Sequence, residues 1–390
     1  MIDYISFKNY RAFKEKQELR IRPITVLFGK NNSGKSAILK LPALISSSLM
    51  MNNEEVFSMQ TEDGVDVCKE MRDVVYNKAI RTVEIETKDS KNGIEFDYSF
   101  NIDSTREIQS HLDSWRIKDS NVGELKILPD DDKHFHGVIP KGDFIDSKYV
   151  DSLIKLRFFT DYIGSHRYNP PIDLRLNASN RRLYSGIDGR YCYDWLVSEF
   201  SKTSSEYAQQ IAKWYSDNFE GWRIDVDKSH APLYHINFVN GVLENYITDT
   251  GEGIIQSLPI VIRAIRPCDV PTMIMLEEPE THLHPAAHGN LSQLIAESTM
   301  RDGNKSYLIE THSKNFILRL RRLIAEKKIS KDDVALYYIK FNEETKSSSL
   351  EEILLTEKGM IDPSSRWPDN VFEESMDEVI AIRDANINGR

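Results

Sequence analysis

The sequence predicts an α/β fold: a mixed sheet, an antiparallel β element at the N-terminus, and a helical lobe inserted between two halves of the core. Three stretches carry this expectation. "LFGKNNSGKS" (27–36) places a glycine-rich turn between a β-branched run and a helix-like run. "TMIMLEEPETHLHP" (272–285) reads as an apolar strand ending on two adjacent carboxylates. "KSYLIETHS" (305–313) reads as a further apolar strand, ending on His312-Ser313. The loop and the acids stand far apart in the chain, so a large insertion must separate them.

Composition narrows the class. The chain has 390 residues, 28% charged and 40% hydrophobic, with a net charge of −11. This is the balance of a globular protein. It speaks against a wholly basic nucleic-acid binder but not against a local basic groove. Cys68, Cys192 and Cys268 are too scattered to form a metal-type pair, as expected in a reducing compartment. Asp3, Lys8 and Arg11 interrupt the N-terminal "MIDYISFKNYRAF", so it does not read as a signal peptide. No apolar run approaches the roughly 20 residues of a membrane span. A cytoplasmic location with no membrane partner is expected.

The elements follow in order. "YISFKNYRAF" and "KQELRIRPITVLF" alternate as strands do. The loop comprises Gly29, Lys30, Asn31, Asn32, Ser33, Gly34, Lys35, Ser36 and Ala37, and matches G-x-x-x-x-G-K-S without departure. The glycines let backbone N–H groups converge on phosphate. Lys35 brings a positive charge to the β- and γ-phosphates, and Ser36 offers a hydroxyl to Mg²⁺. "RTVEIETK" and "GIEFDYSFNI" read as antiparallel strands joined by "DSKNG". The polar stretch from about 103 to 148 reads as a solvated insertion. His134 and His136 in "DDDKHFH" lack a second ligand cluster that would make a metal site. "RYCYDWLVSEF" and "SEYAQQIAKWYSDNF" carry Trp195, Leu196, Phe200, Tyr207, Ile211, Trp214 and Tyr215 at helical spacing, as core faces. "WRIDVDKS" and "PLYHINFVNGVLENYI" read as strands.

The functional residues cluster later in the chain. Thr250, Gly251, Glu252 and Gly253 open a helix, and a helix N-terminus offers free N–H groups to an anion. That element suits a γ-phosphate held by a second subunit. Glu277 ends the apolar strand as the metal-supporting acid, and Glu278 follows as the base that polarises water. His312 stands at a strand end where it can sense the γ-phosphate. The basic run "RLRRLIAEKK" (319–328) reads as a solvated helix face rather than a set of phosphate contacts.

Taken together, these motifs resemble an ABC-type P-loop ATPase head of the SMC-like and OLD-like kind. The resemblance makes "TGEG" the signature, "MLEEPETHLHP" the Walker B strand with its D-loop (Thr281 to His284), and "ETHS" the switch histidine. More narrowly, the chain resembles a stand-alone prokaryotic family with "YIG-x-x-R-x-x-P", "GEG-x-x-Q-x-LP" and "WP-x-x-x-F" segments, here around Arg167, Gln256 and Trp367. Relatives of this kind are associated with anti-phage defence. The resemblance implies ATP and Mg²⁺ as ligands, and a head-to-tail homodimer or higher homo-oligomer with shared sites. It also implies a separate effector protein, such as a nuclease or toxin, and leaves nucleic acid open as a further partner. The competing class is an SMC-like DNA-repair or DNA-end-binding ATPase acting alone.

The departures are specific. Thr250 and Glu252 replace residues of the LSGGQ form, and no Q-loop glutamine is identifiable, Gln60 in "FSMQTEDG" being a candidate. The residues after His312 are expected to hold no appended nuclease domain, and no long heptad segment is expected. The expected division is one ATPase domain: an N-terminal lobe with Walker A (1–102), an insertion or helical lobe (103–240), a segment with signature, Walker B, D-loop and switch histidine (241–345), and a C-terminal tail (346–390).

Overall fold

A computed structural model describes residues 1–50, 54–79, 81–103, 109–129, 135–142, 144–175 and 182–368. The chain starts with β1 (Tyr4–Lys8), β2 (Gln17–Arg20) and β3 (Ile24–Gly29), then α1 (Lys35–Leu39) and α2 (Leu41–Leu49). Next come β4 (Val83–Asp89), β5 (Ile94–Asp103), β6 (Gln109–Asp119) and β7 (Gly123–Ile127), followed by α3 (Ser147–Lys155) and β8 (Phe159–Ile163). The inserted segment adds α4 (Cys192–Ser201), α5 (Glu206–Asn218), and the small-sheet strands β9 (Arg223–Asp227), β10 (Leu233–Asn240) and β11 (Leu243–Tyr246). The core resumes with α6 (Glu252–Ile265), β12 (Thr272–Glu277), α7 (Pro285–Arg301), β13 (Lys305–Glu310) and α8 (Lys314–Ala325). It closes with the hairpin β14 (Val334–Asn342) and β15 (Ser347–Ile353).

The central sheet runs β8-β12-β13-β3-β14-β15. All its pairs are parallel except β14 with β15, so it is mixed. Parallel strands covered on both faces need apolar side chains on both. Because alternate residues point to opposite faces, the same strands serve two cores. Leu27, Met273, Met275 and Leu308 pack toward α1, α2 and the antiparallel sheet. Val26, Phe28, Ile274, Leu276, Tyr307 and Ile309 pack toward α4 to α8. Leu196, Ile211, Trp214 and Tyr215 are buried in that second core, with Trp195, Phe200 and Tyr207 partly buried against it.

The antiparallel sheet runs β2-β1-β4-β5-β6-β7 and extends further than the sequence suggests. The stretch read as a solvated insertion after 103 supplies β6, which pairs with β5 from Asp119 back to Gln109, and then β7. The sheet therefore continues across the 102/103 division. A register shift between Ser99 and Phe100 breaks the alternation of the pair. The inward side of β6 then mixes Trp115 and Ile117 with Ser110 and Asp119, which hides its period.

The segment from 346 onward is not simply a tail. β15 is the edge strand of the central sheet, the Ser348 hydroxyl donates to the Ser33 carbonyl at 2.7 Å, and Trp367 stacks on Phe28 of β3. His134 and residues 369–372 of the "WP-x-x-x-F" segment lie outside the described residues.

Candidate active site

The phosphate loop links β3 to α1. Its backbone demands glycine at two points. Gly29 approaches β14 so closely that a Cβ would sit 2.4 Å from the Ile339 carbonyl oxygen. Gly34 caps α1 with φ of 104°, and a Cβ there would press on the Phe13 ring at 3.1 Å. Lys30, Asn31, Asn32 and Ser36 are exposed, whereas Ser33 and Lys35 are buried. Ala37 is partly covered, and its carbonyl accepts from Tyr10. The Lys35 ammonium caps the carbonyls of Lys30 (2.9 Å) and Gly29 (3.2 Å) and stands 3.6 Å from Glu310. Burial pushes its pKa down, against the pull of Glu310 and Glu278. Among the described residues, the buried Ser33 hydroxyl has no hydrogen-bond partner. A buried hydroxyl, a buried cation turned onto carbonyls, and a loop with no room for a Cβ form a donor set suited to phosphate.

The acids come from two neighbouring strands. Glu277 and Glu310 are register partners at the ends of β12 and β13. The Tyr162 hydroxyl, on β8, donates to Glu277. Glu278 turns into the left-handed region, with φ of 43°. Its N–H is held by the Glu310 carbonyl at 2.8 Å, and its own carbonyl accepts from Arg167 at 2.8 Å. The turn aims the Glu278 carboxylate at the Thr281 hydroxyl (3.1 Å) and at His312 Nε2 (3.6 Å). Such a conformation persists only where its surroundings hold it. Glu278, Glu310 and His312 each offer a ligand atom, all within 4.8 Å of one another. Burial raises the pKa of Glu310, and Glu277 and Glu278 raise it further, while Ser36 and Lys35 oppose. Burial and the nearby Lys35 lower that of His312.

Glu310 is the principal residue that the sequence reading missed. The Ser36 hydroxyl donates to it at 2.8 Å, and Lys35 is its counter-charge. The signal was available: "SYLIE" ends on an acid as "MIMLE" does. Arg167, expected only as part of the "YIG" segment, gains a role here. It is buried, and its Nη2 donates to the carbonyls of both Glu277 (2.9 Å) and Glu278 (2.8 Å). Burial lowers its pKa to about 10. Its backbone N–H donates to Gln256 of α6 at 3.1 Å, so the "YIG" and "GEG" segments meet. Glu280 is buried too and accepts from the Thr311 hydroxyl and the His312 N–H.

The signature residues form a separate group. Gly251 caps α6 with open space around it, and the Thr250 hydroxyl donates back to the Ile247 carbonyl. Glu252 pairs with His282 at 3.3 Å, and a Cβ on Gly253 would lie 2.5 Å from the His282 carbonyl oxygen. The signature therefore packs on its own D-loop. Among the described residues, no hydrogen bond or ion pair joins 250–253 to the phosphate loop. Gln60 donates to Asp66 at 2.9 Å on an exposed loop. In the basic run, Arg319 bonds Gln293, Arg321 bonds the Gly359 carbonyl, and Arg322 bonds Glu326. A second group able to hold a metal, Asp227, His230 and His235, lies in the small sheet and was not singled out by the sequence.

Three solved SMC head structures are similar. One is bound to the C-winged helix domain of ScpA: 13% identity, 92% of this chain and 99% of that one, TM-score 0.53. A head with an extended coiled coil, bound to the C-terminal domain of ScpA derived from Pyrococcus furiosus, matches at 11% identity over 98% and 99% of the two chains, TM-score 0.48. The head from Thermotoga maritima matches at 12% identity over 90% and 98%, TM-score 0.42. The first of these shows the fold to be that of an SMC-like α/β head. No curated protein matches the sequence. A family model described as a protein of unknown function matches residues 329–381. Residues 24–319, well over half the chain and the span that holds the phosphate loop, both acids and His312, match a further family model, and the chain belongs to that family, described as "AAA domain, putative AbiEii toxin, Type IV TA system".

Proposed function

We propose that this chain binds ATP with Mg²⁺ and hydrolyses it as an ABC-type head, closing head to tail with a second copy. The observation that carries this reading is convergence. Lys35 and Ser36 from the loop, Glu277 and Glu278 from one strand end, and Glu310 and His312 from the next meet at the C-terminal ends of three adjacent strands, β3, β13 and β12. Sequence distance gives them no other reason to meet.

Each side chain then has a task. Lys35 turns from its carbonyls to the β- and γ-phosphates, and Ser33 gains a partner there. Ser36 and Glu277 are suited to hold the cation, which supplies neutralisation of charge on the phosphate oxygens. Glu278, braced by Thr281, accepts the proton of the attacking water, and His312 stands beside it to hold the water or read the γ-phosphate. Gly251, with open space before it, suits the phosphate of a partner's nucleotide rather than its own. The biological reading is a regulatory ATPase of a defence system that controls a separate protein effector. The family's toxin–antitoxin description and the ScpA-bound SMC head support a partner protein. Arg319, Arg321 and Arg322 are each bonded within the chain, which weighs against that run as a row of phosphate contacts.

Complementation tests the shared site. Lys35→Ala alone abolishes ATP binding, and Gly251→Arg alone binds ATP but does not turn it over. Mixing the two yields heterodimers with one intact site and recovers hydrolysis. Heterodimers shown to form but inactive would overturn the shared site.

A further inference from the structure

We infer that Glu310 is a direct ligand of the divalent cation that accompanies the nucleotide, side by side with Ser36, while Glu277 acts from further out. The inference rests on the ATPase reading above and changes one part of it, placing Glu310 rather than Glu277 beside Ser36 on the cation.

Strand order is the first ground. β13 lies between β3 and β12, so its terminal acid is closer to the phosphate loop than the acid of β12. The register agrees: Glu310 pairs with Leu27 on β3, two residues before Gly29, whereas Glu277 pairs with Glu310 and not with β3.

Direct contact is the second. The Ser36 hydroxyl sits 2.8 Å from Glu310 Oε2. Adjacent oxygens around an octahedral Mg²⁺ with bonds near 2.1 Å are about 3 Å apart. Ser36 and Glu310 are therefore already spaced as neighbouring ligands. Glu277 is engaged elsewhere, by the hydroxyl of Tyr162 on β8, on the far side of β12 from the loop.

Charge is the third. Glu310 is 4% exposed, and its cationic neighbour is Lys35 at 3.6 Å. Once Lys35 turns to phosphate, Glu310 becomes a buried carboxylate with Glu277 and Glu278 nearby and its counter-charge diverted. A buried carboxylate left this way is strongly unfavourable. A cation in contact with it restores the balance, so the step that frees Lys35 also creates the demand for metal.

The test reads metal, not turnover. Binding of a fluorescent ATP analogue is titrated at fixed nucleotide against Mg²⁺, and separately in EDTA. Glu310→Gln is expected to raise the Mg²⁺ midpoint by about tenfold or more, the scale of lost metal contacts. Its EDTA affinity is expected to be unchanged or tighter. Glu277→Gln moves the midpoint less. If Glu310 merely props Ser36 and Lys35, its loss weakens the EDTA and Mg²⁺ titrations alike, and this overturns the inference. Glu310→Asp, which keeps the charge one methylene short, gives the same reading if the Gln variant does not fold: its midpoint must rise, and an unshifted one overturns the proposal. A wild-type chain that binds no nucleotide with or without Mg²⁺ overturns the ATPase reading as well. Nucleotide binding with an unshifted midpoint in the variants overturns this inference alone.

Discussion

Two glycines two residues apart, Gly251 and Gly253, carry opposite constraints. Gly251 faces open space, so an added methyl meets nothing within the chain. Gly253 has the His282 carbonyl oxygen 2.5 Å from where a Cβ would stand, and backbone cannot yield as a flexible side-chain tip can. Gly251→Ala is therefore expected to change stability by no more than about 0.5 kcal/mol, the range of ordinary surface changes. Gly253→Ala is expected to cost about 1–3 kcal/mol through overpacking. Urea unfolding of both variants checks the contrast, and equal midpoints would refute the packing of signature on D-loop. "TGEG" reads from sequence as one anion-binding unit. Only the fold separates its residues into one that looks outward and one that is a packing contact, because the D-loop it touches lies beyond a helix and a strand.

The acid turn after β12 depends on a residue from another element. Arg167 donates one nitrogen to two consecutive carbonyls, and this pins Glu278 in its left-handed conformation. Arg167→Ala is expected to destabilise by about 2–3 kcal/mol, as for lost hydrogen bonds to a charged group. It should also lower hydrolysis far more than ATP affinity, since the phosphate loop is untouched. Thermal melts with nucleotide titrations measure both, and a variant with reduced affinity but normal turnover at saturation would contradict this account.

The same scale explains what was legible in advance. The loop, β12 and β13 declared themselves because apolar runs ended on functional residues. β6 did not, because a register shift let Ser110 and Asp119 share its inward side with Trp115 and Ile117. Glu310 passed unnoticed because the histidine two residues on drew the reading, and its role depends on β13 lying beside β3, an adjacency that strand patterning alone does not state.

Across the whole molecule, a buried lysine ties α6, α7 and β13 together. Lys305 Nζ donates to the Ala264 carbonyl at 2.8 Å and to Ser298 at 3.1 Å. Burial, aided by Arg263, pushes its pKa down to about 7. An unfolded lysine titrates near about 10.4. Between these values the unfolded chain holds a proton that the folded chain has released, so stability rises with pH across that window. Below about 7 both states are protonated and the contribution is flat. Lys305→Met is expected to remove this upward slope. Urea unfolding at pH 7, 8 and 9 measures it, and a slope equal to wild type would show that other groups carry the effect.

The joint at Arg167 has a consequence for timing. Its side chain grips the turn that aims Glu278, and its main chain is bonded to Gln256 on the helix whose tip looks outward. In the head-to-tail pair proposed above, that tip would rest on the neighbour's nucleotide. A displacement there would be passed through Arg167 to the Glu278 turn of the molecule's own site. Two such molecules would work like the pallets of an escapement: neither tooth is released until the other has engaged, and ATP is spent in coupled beats rather than at two independent sites.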